Sequence, residues 1–165
     1  MYKRQGGEAA TLEPLHEHLF EYKTHMMQNY GAGVQACYRG PRLYDTPETQ
    51  AAVTEVIQWY KKYRDILNSD MIHLRRPDAR DWDGFIHVNP HKKEKGLAMF
   101  FNPTHQEITR TIHIPLYYTG LTQTARIREK EQKPVTYKLN RDYTVELTVK
   151  IPANGYTWYV VEAAD

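Results

Sequence analysis

Eight histidines are the residues that most directly suggest metal chemistry in this 165-residue sequence. His16 and His18 are two positions apart, so on a helix their side chains point to different faces and cannot share one ion. His18 and His25 are seven positions apart, which separates them by about 10 Å along a helix axis. His87 and His113 are interpreted as strand residues. We therefore expect neither a metal nor a cofactor.

A second candidate cluster is the run RRPDARDWDGF, which contains Asp78, Asp81 and Asp83. Oxygen-rich spacing of this kind resembles calcium loops, but the glycine and the distal glutamate of an EF-hand are out of place. We interpret the cluster as a charged turn that leads into a strand. If a sugar contacts this part of the chain, Trp82 at the turn is the candidate platform.

The composition excludes several classes of function. Thirteen tyrosines and three tryptophans outnumber four phenylalanines, and rings with a polar group serve both in sugar binding and in the packing of β-sandwiches. A formal charge of +2, with scattered basic residues, does not favour nucleic acid as a partner. The sequence contains no phosphate-binding glycine loop, nucleophile elbow or Cys/His pair, and the single Cys37 excludes an internal disulfide.

The sequence gives no sign of a membrane segment. No stretch reaches the roughly 18 apolar residues that a membrane span requires, and the N-terminal run MYKRQGGEAATLEP does not resemble a signal peptide. We expect a soluble chain without a membrane partner. The compartment stays open, because an export signal could belong to a longer parent protein.

Apolar side chains at spacings of three and four predict two amphipathic helices in residues 1–69. Gly31 and Gly33 should end the first helix, and Thr46 and Pro47 should begin the second, which extends to about Leu67. The short apolar run between the helices, residues 34–38, predicts a buried strand. The apolar faces comprise Leu12, Leu15, Leu19, Tyr22 and Met26 in the first helix, and Val53, Val56, Ile57, Tyr60, Tyr63 and Leu67 in the second.

Turn signals at short intervals in residues 70–165 predict an antiparallel β-sandwich of seven to eight strands. The fold class is therefore α+β, with a module boundary at Asn68 to Asp70. A tight turn at 152–155 predicts that the last two strands form a hairpin. Arg110 has the parity of apolar strand residues, so either the strand twists there or the guanidinium meets a carboxylate at an edge. The expected strands are 71–75, 85–88, 97–101, 108–114, 125–129, 136–139, 143–151 and 156–161.

Four runs carry a family resemblance: GVQACYRGPRLYD, WYKKYRDILNSDMIHLRRPDARDWDGFIHVNP, KGLAMFFNPT and IPLYYTGL. Together they resemble the C-terminal portion of bacterial α-galactosidase-like glycoside hydrolases of the melibiase superfamily. The resemblance implies that residues 12–30, 33–38 and 46–67 are the seventh helix, eighth strand and eighth helix of a (β/α)₈ barrel, followed by an antiparallel β domain. It also implies that both catalytic carboxylates lie on earlier strands. A complete barrel takes about 250 residues, so this chain alone is not expected to be catalytic.

The resemblance selects the loop after the implied eighth strand as a substrate-binding candidate, because barrel active sites lie at the C-terminal ends of strands. Tyr38 could stack on a sugar, Arg39, Arg42 and Asp45 could hydrogen-bond to hydroxyls, and Tyr44 belongs to the same loop. The alternative is that Arg39 and Asp45 tie the loop to the barrel rim and that Asp45 assists the start of the second helix.

Two functions follow as hypotheses. The chain is either a C-terminal fragment or accessory domain of a glycoside hydrolase, supporting a catalytic barrel, or a free-standing carbohydrate-binding module without catalytic activity. The apolar helix faces in residues 12–67 would be covered by a barrel sheet. Without it, we expect self-association through this segment, packing of the helices on the sandwich, or a mobile segment, with a catalytic-barrel chain as the other candidate partner.

Overall fold

The computed structural model of the protein describes residues 12–34 and 40–164. The chain divides into two compact units between Leu67 and Asn68. The first unit, called the helical unit below, contains helix α1 (Leu19–Gly31), which follows a 3-10 turn at Leu15–His18, and helix α2 (Pro47–Leu67). The second, called the β unit, contains eight strands. The α+β class expected from the sequence is confirmed.

Helix α1 ends, and helix α2 begins, where the sequence predicts. Backbone N–H groups of Ala32 and Gly33 donate to the last carbonyls of α1, and Gly33 adopts a φ of 71°, which glycine tolerates without strain. At the start of α2, Thr46 Oγ1 accepts a hydrogen bond of 3.2 Å from the N–H of Thr49, with Pro47 at the first helical position. Neither helix is long and apolar enough to cross a membrane.

The two helices contact each other. The rings of Tyr30 and Tyr60 lie 4.9 Å apart between centroids, and Lys23 of α1 pairs with Glu55 of α2. Most residues of the predicted faces are buried, and Ile57 is partly buried. The buried members are Leu15, Tyr22 and Met26 before and within α1, and Val53, Val56, Tyr63 and Leu67 in α2.

The strand predicted at residues 34–38 falls almost entirely outside the described residues. Its one described member, Val34, lies at a bend, and its N–H donates to the Asn29 carbonyl at 3.1 Å. Its side chain is 52% exposed, so Val34 does not belong to a buried strand. The physical reason is that Val34 still takes part in ending α1.

All eight expected strands form. They assemble into one antiparallel six-stranded sheet in the order β1-β2-β3-β8-β5-β6 and one antiparallel pair, β4-β7. The strands are β1 (Asp70–Arg75), β2 (Asp83–Val88), β3 (Glu94–Phe101), β4 (Ile108–Pro115), β5 (Thr124–Glu129), β6 (Val135–Lys138), β7 (Thr144–Ile151) and β8 (Tyr156–Ala163).

One hydrophobic core joins the two sheets. Ile114 and Val149 of the pair and Phe100 of the large sheet are completely buried in the same cluster, with Val161 nearly so. Strand β7 alternates buried and exposed residues along its length, so one face meets the core and the other meets water. Two sheets that share one core form a sandwich, as the sequence predicts.

The predicted hairpin of the last two strands is wrong. The turn itself is present, with the Gly155 N–H donating to the Pro152 carbonyl at 3.1 Å. Strand β7, however, pairs with β4, and β8 lies between β3 and β5. The turn therefore carries the chain from one sheet to the other. The alternation of apolar residues does not distinguish a hairpin from a crossing between sheets, because both arrangements place the same side chains in the core.

Asn102 holds this crossing in place. Its side-chain amide, 2% exposed as a residue, donates to the carbonyls of Pro152 at 2.9 Å and Gln106 at 2.7 Å. Its backbone N–H donates to the Gly155 carbonyl at 2.9 Å. These bonds satisfy backbone groups that change direction inside the protein, where an unpaired polar group is costly.

The position of Arg110 on β4 is also explained. Its guanidinium pairs with Asp81, with Nη2 lying 3.1 Å from Oδ1 and Nε 3.3 Å from Oδ2. The second of the two alternatives, a carboxylate partner for the guanidinium, is confirmed.

Cysteine cross-linking tests the sheet assignment. In a Cys37→Ser background, Thr111→Cys with Thr148→Cys should oxidise to a disulfide, because these exposed residues lie opposite each other on β4 and β7. Lys150→Cys with Thr157→Cys, which a hairpin would place opposite each other, should stay reduced. Gel mobility with and without reductant distinguishes the two. Cross-linking of the second pair alone would contradict the topology.

Candidate functional site

The loop before α2 displays two large side chains to water. Leu43 and Tyr44 are 57% and 45% exposed. The Tyr22 hydroxyl, from α1, donates to the Leu43 carbonyl at 2.9 Å and fixes the backbone that presents them. Arg42 is exposed and lies 3.5 Å from a carboxylate oxygen of Glu13. The other two candidates in this loop, Tyr38 and Arg39, lie outside the described residues.

Asp45 is the most constrained residue of the loop. Oδ2 accepts hydrogen bonds from the backbone N–H of His16 at 3.1 Å and from His16 Nδ1 at 2.8 Å. Oδ1 accepts from the Thr49 hydroxyl at 3.0 Å. Both oxygens are therefore occupied by groups of the chain, and the side chain is only 6% exposed. This geometry favours the alternative in which Asp45 ties the loop and assists the start of α2.

The same contacts set the pKa of Asp45. Desolvation raises it, but the hydrogen bonds from His16 and Thr49 outweigh that effect and lower the pKa from 3.8 to about 2. A pKa depressed by folding means that the ionised carboxylate stabilises the folded state above the unfolded pKa. That stabilisation is lost as the pH falls through the folded pKa. Asp45 thus makes the helical unit sensitive to acid between about pH 4 and pH 2.

Replacing Asp45 tests this role. Asp45→Asn should lower the melting temperature of the helical signal at pH 7 by a few degrees and should flatten its acid dependence between pH 4 and pH 2. The amide cannot accept all three hydrogen bonds. Circular dichroism at 222 nm as a function of temperature and pH measures both effects. Asp70→Asn, which changes an exposed carboxylate at the start of β1, serves as the control and should change neither.

Trp82 is partly buried in the β unit. Its ring makes an edge contact with Phe100 at 5.8 Å between centroids, and the Arg75 guanidinium lies over the ring at 5.9 Å. Arg75 also donates to the Trp82 carbonyl. A platform for a sugar needs an uncovered ring face, so these contacts restrict the part of Trp82 that a ligand could reach.

Two of the three aspartates around Trp82 are paired with arginines. Asp78 lies 2.7 Å from Arg75, and Asp81 pairs with Arg110. Backbone N–H donation from Arg80, followed by the contact with Arg75, lowers the pKa of Asp78 to about 2. Across residues 12–34 and 40–164, no group of three or more His, Cys, Asp or Glu side chains is placed to hold a metal ion.

Sequence reasoning gave no role to an aromatic cluster in the β unit. Tyr117 and Tyr118 follow β4 directly, and both are more than 60% exposed. A signal for them is visible in the run IPLYYTGL, because two adjacent tyrosines at the end of a strand cannot both point into the core.

Comparison with known proteins places the fold. No protein-family model matches the chain, and no curated protein sequence matches it. A GH27 β-L-arabinopyranosidase from Geobacillus stearothermophilus matches 88% of this chain and 31% of its own, with a TM-score of 0.59 and 11% identity. α-Galactosidase I from Mortierella vinacea matches over 86% and 35%, with a TM-score of 0.55 and 11% identity.

This chain has the fold of part of a glycoside hydrolase. The family resemblance seen in the sequence is confirmed at the level of the fold, and the match is consistent with a C-terminal portion. The chain spans about a third of the length of these solved structures. An α-amylase from Geobacillus thermoleovorans shares the fold equally well, with a TM-score of 0.58, 14% identity, and coverage of 89% of this chain and 34% of its own. The fold therefore does not select one sugar.

Proposed function

We propose that this chain is the C-terminal part, or a separately encoded accessory domain, of a glycoside hydrolase, and that residues 12–67 join it to a catalytic barrel. The observation that carries the proposal is the extent of the structural match. The similarity covers 88% of this chain but only 31% of the arabinopyranosidase. A coverage this high includes residues of both units.

The surface of the helical unit supports this role. Four large apolar or aromatic side chains there are about half exposed: Phe20, Val34, Leu43 and Tyr44. Large apolar side chains left exposed on one unit are candidates for an interaction surface. A barrel would cover Phe20 of α1, because the outer helices of a (β/α)₈ barrel pack on its strands, whereas Leu43 and Tyr44 belong to the loop before α2.

The loop before α2 would then lie at the rim of the active site. In the assembled enzyme, Arg42 would donate to sugar hydroxyls and Tyr44 would contact a ring face, with Tyr38 and Arg39 beside them. Asp45 would act indirectly, by holding the loop against His16 and α2. The catalytic carboxylates would come from the barrel, so this chain supplies binding and support.

Exposed apolar surface predicts self-association of the isolated chain. Sedimentation velocity should show a concentration-dependent rise in the average mass, and Phe20→Ser with Leu43→Ser should abolish it. Val135→Ser, which removes a side chain that is 55% exposed on the β unit, should leave it unchanged. A chain that stays monomeric at all concentrations, or an equal effect of the control, would count against residues 12–67 as an interaction surface.

The direct test of the function uses the DNA around the coding segment. We expect a barrel-coding segment in frame or adjacent, and the joint product should hydrolyse a nitrophenyl glycoside while this chain alone does not. Removing residues 12–165 from that product should lower its melting temperature. Turnover by this chain alone, or the absence of any barrel-coding partner, would refute the proposal.

A further inference from the structure

The turn after β4 exposes two neighbouring aromatic rings. Tyr117 and Tyr118 are 61% and 62% exposed, more than any other large apolar or aromatic side chain in the described part of the chain. Side chains of this size normally gain free energy by burial. Two of them held outward at one turn therefore form a surface that a partner can cover.

The chain forces both rings outward. The neighbours on either side, Leu116 and Thr119, are fully buried, and the Thr119 hydroxyl donates to the Leu116 carbonyl. Gly120 closes the turn with a φ of 76°, and its N–H donates to the Tyr117 carbonyl at 3.2 Å. The turn is thus anchored at both ends, and the two tyrosines project from a fixed backbone.

A third tyrosine extends the cluster. The rings of Tyr117 and Tyr143 lie 5.4 Å apart at 78°, and those of Tyr117 and Tyr118 lie 5.1 Å apart at 88°. In a T-shaped contact the edge of one ring meets the face of the other. Tyr143 also packs against the core, whereas Tyr117 and Tyr118 are mostly exposed. The three rings together are called the tyrosine cluster below.

The backbone of Tyr143 is held in a conformation that bulky residues rarely adopt. Its φ is 61°, in the left-handed region that favours glycine. Its carbonyl accepts from the Leu116 N–H at 2.9 Å, and its N–H donates to the Asn140 carbonyl at 3.0 Å. These bonds connect the loop before β7 to the turn after β4, so the cluster is preorganised.

Tyr143 also lines an open groove with a volume of about 560 Å³. Gln123, Lys138, Asn140 and Arg141 line the same groove and supply amide, ammonium and guanidinium donors. Within residues 12–34 and 40–164, no carboxylate forms a salt bridge with Lys138 or Arg141.

We infer that the tyrosine cluster and this groove form a binding site for an oligosaccharide. Uncovered aromatic faces match the C–H faces of pyranose rings, and the adjacent donors match their hydroxyls. A purely apolar partner would leave the amide and charged groups of the groove unsatisfied. The site lies entirely within the β unit, so it goes beyond the proposed support of a barrel and does not depend on it.

Calorimetric titration of the full chain tests the inference. The probes are cellotriose, maltotriose, raffinose and trigalacturonate, each up to about 10 mM, since single sites of this size bind weakly. At least one should bind, and Tyr117→Ala with Tyr118→Ala should raise its Kd at least tenfold. Binding of trigalacturonate alone would mean that Lys138 and Arg141 recognise a carboxylate, and binding of a neutral probe would mean that they recognise hydroxyls. Either result supports the site.

Two control variants locate the binding on the protein surface. Val135→Ala and Met71→Ala each remove an exposed apolar side chain elsewhere in the β unit. Both variants should bind as the original chain does, and circular dichroism should show that all variants are folded. Absence of binding by every probe, retained binding in the double variant, or loss of binding in Met71→Ala would overturn the inference. The result of this experiment does not depend on whether the chain supports a catalytic barrel.

Discussion

The β unit depends on one constraint: the apolar faces of a six-stranded sheet and a two-stranded sheet must be covered by each other. Ile114, Leu147 and Val149 of the pair meet Phe100 and Val161 of the large sheet in one buried cluster. Full burial of a side chain of this size contributes about 1.5–3 kcal/mol, so the cluster is the main source of stability in the unit. The chain passes between the two sheets several times, and its last crossing follows β7.

The two ends of the β4-β7 pair explain a polar residue in the core and the position of the tyrosine cluster. Asn102 is buried because backbone carbonyls at the crossing need donors. At the opposite end of the same pair, Pro115 lies opposite Thr144, and the chain leaves β4 at this point. The Leu116 N–H bonds to the Tyr143 carbonyl there and fixes the backbone from which the tyrosines project. A rigid pair of strands thus positions an exposed surface.

The sequence was sufficient to predict every strand, because alternation and turn residues are local signals. Sheet partners are not local signals. The turn at 152–155 is compatible with a hairpin and with a crossing, and the structure shows a crossing because β7 pairs with β4 along its whole length. The parity of Arg110 was informative because a guanidinium among apolar positions needs a carboxylate, and Asp81 provides it. For Asp45, the residue type allowed both a ligand contact and a structural role. The partner that favours the structural role, His16, is 29 positions away and has no sequence signal.

The two units differ in what stabilises them. The β unit has a core of its own, whereas the helical unit exposes Phe20 and Leu43 and is matched in solved glycoside hydrolases only as part of a much longer chain. Native-state hydrogen exchange of the isolated chain measures the difference directly. Amides of β3, β7 and β8 should exchange most slowly, and amides of α1 and α2 at least tenfold faster. Equal or greater protection of the helices would show that the helical unit is as stable on its own as the β unit.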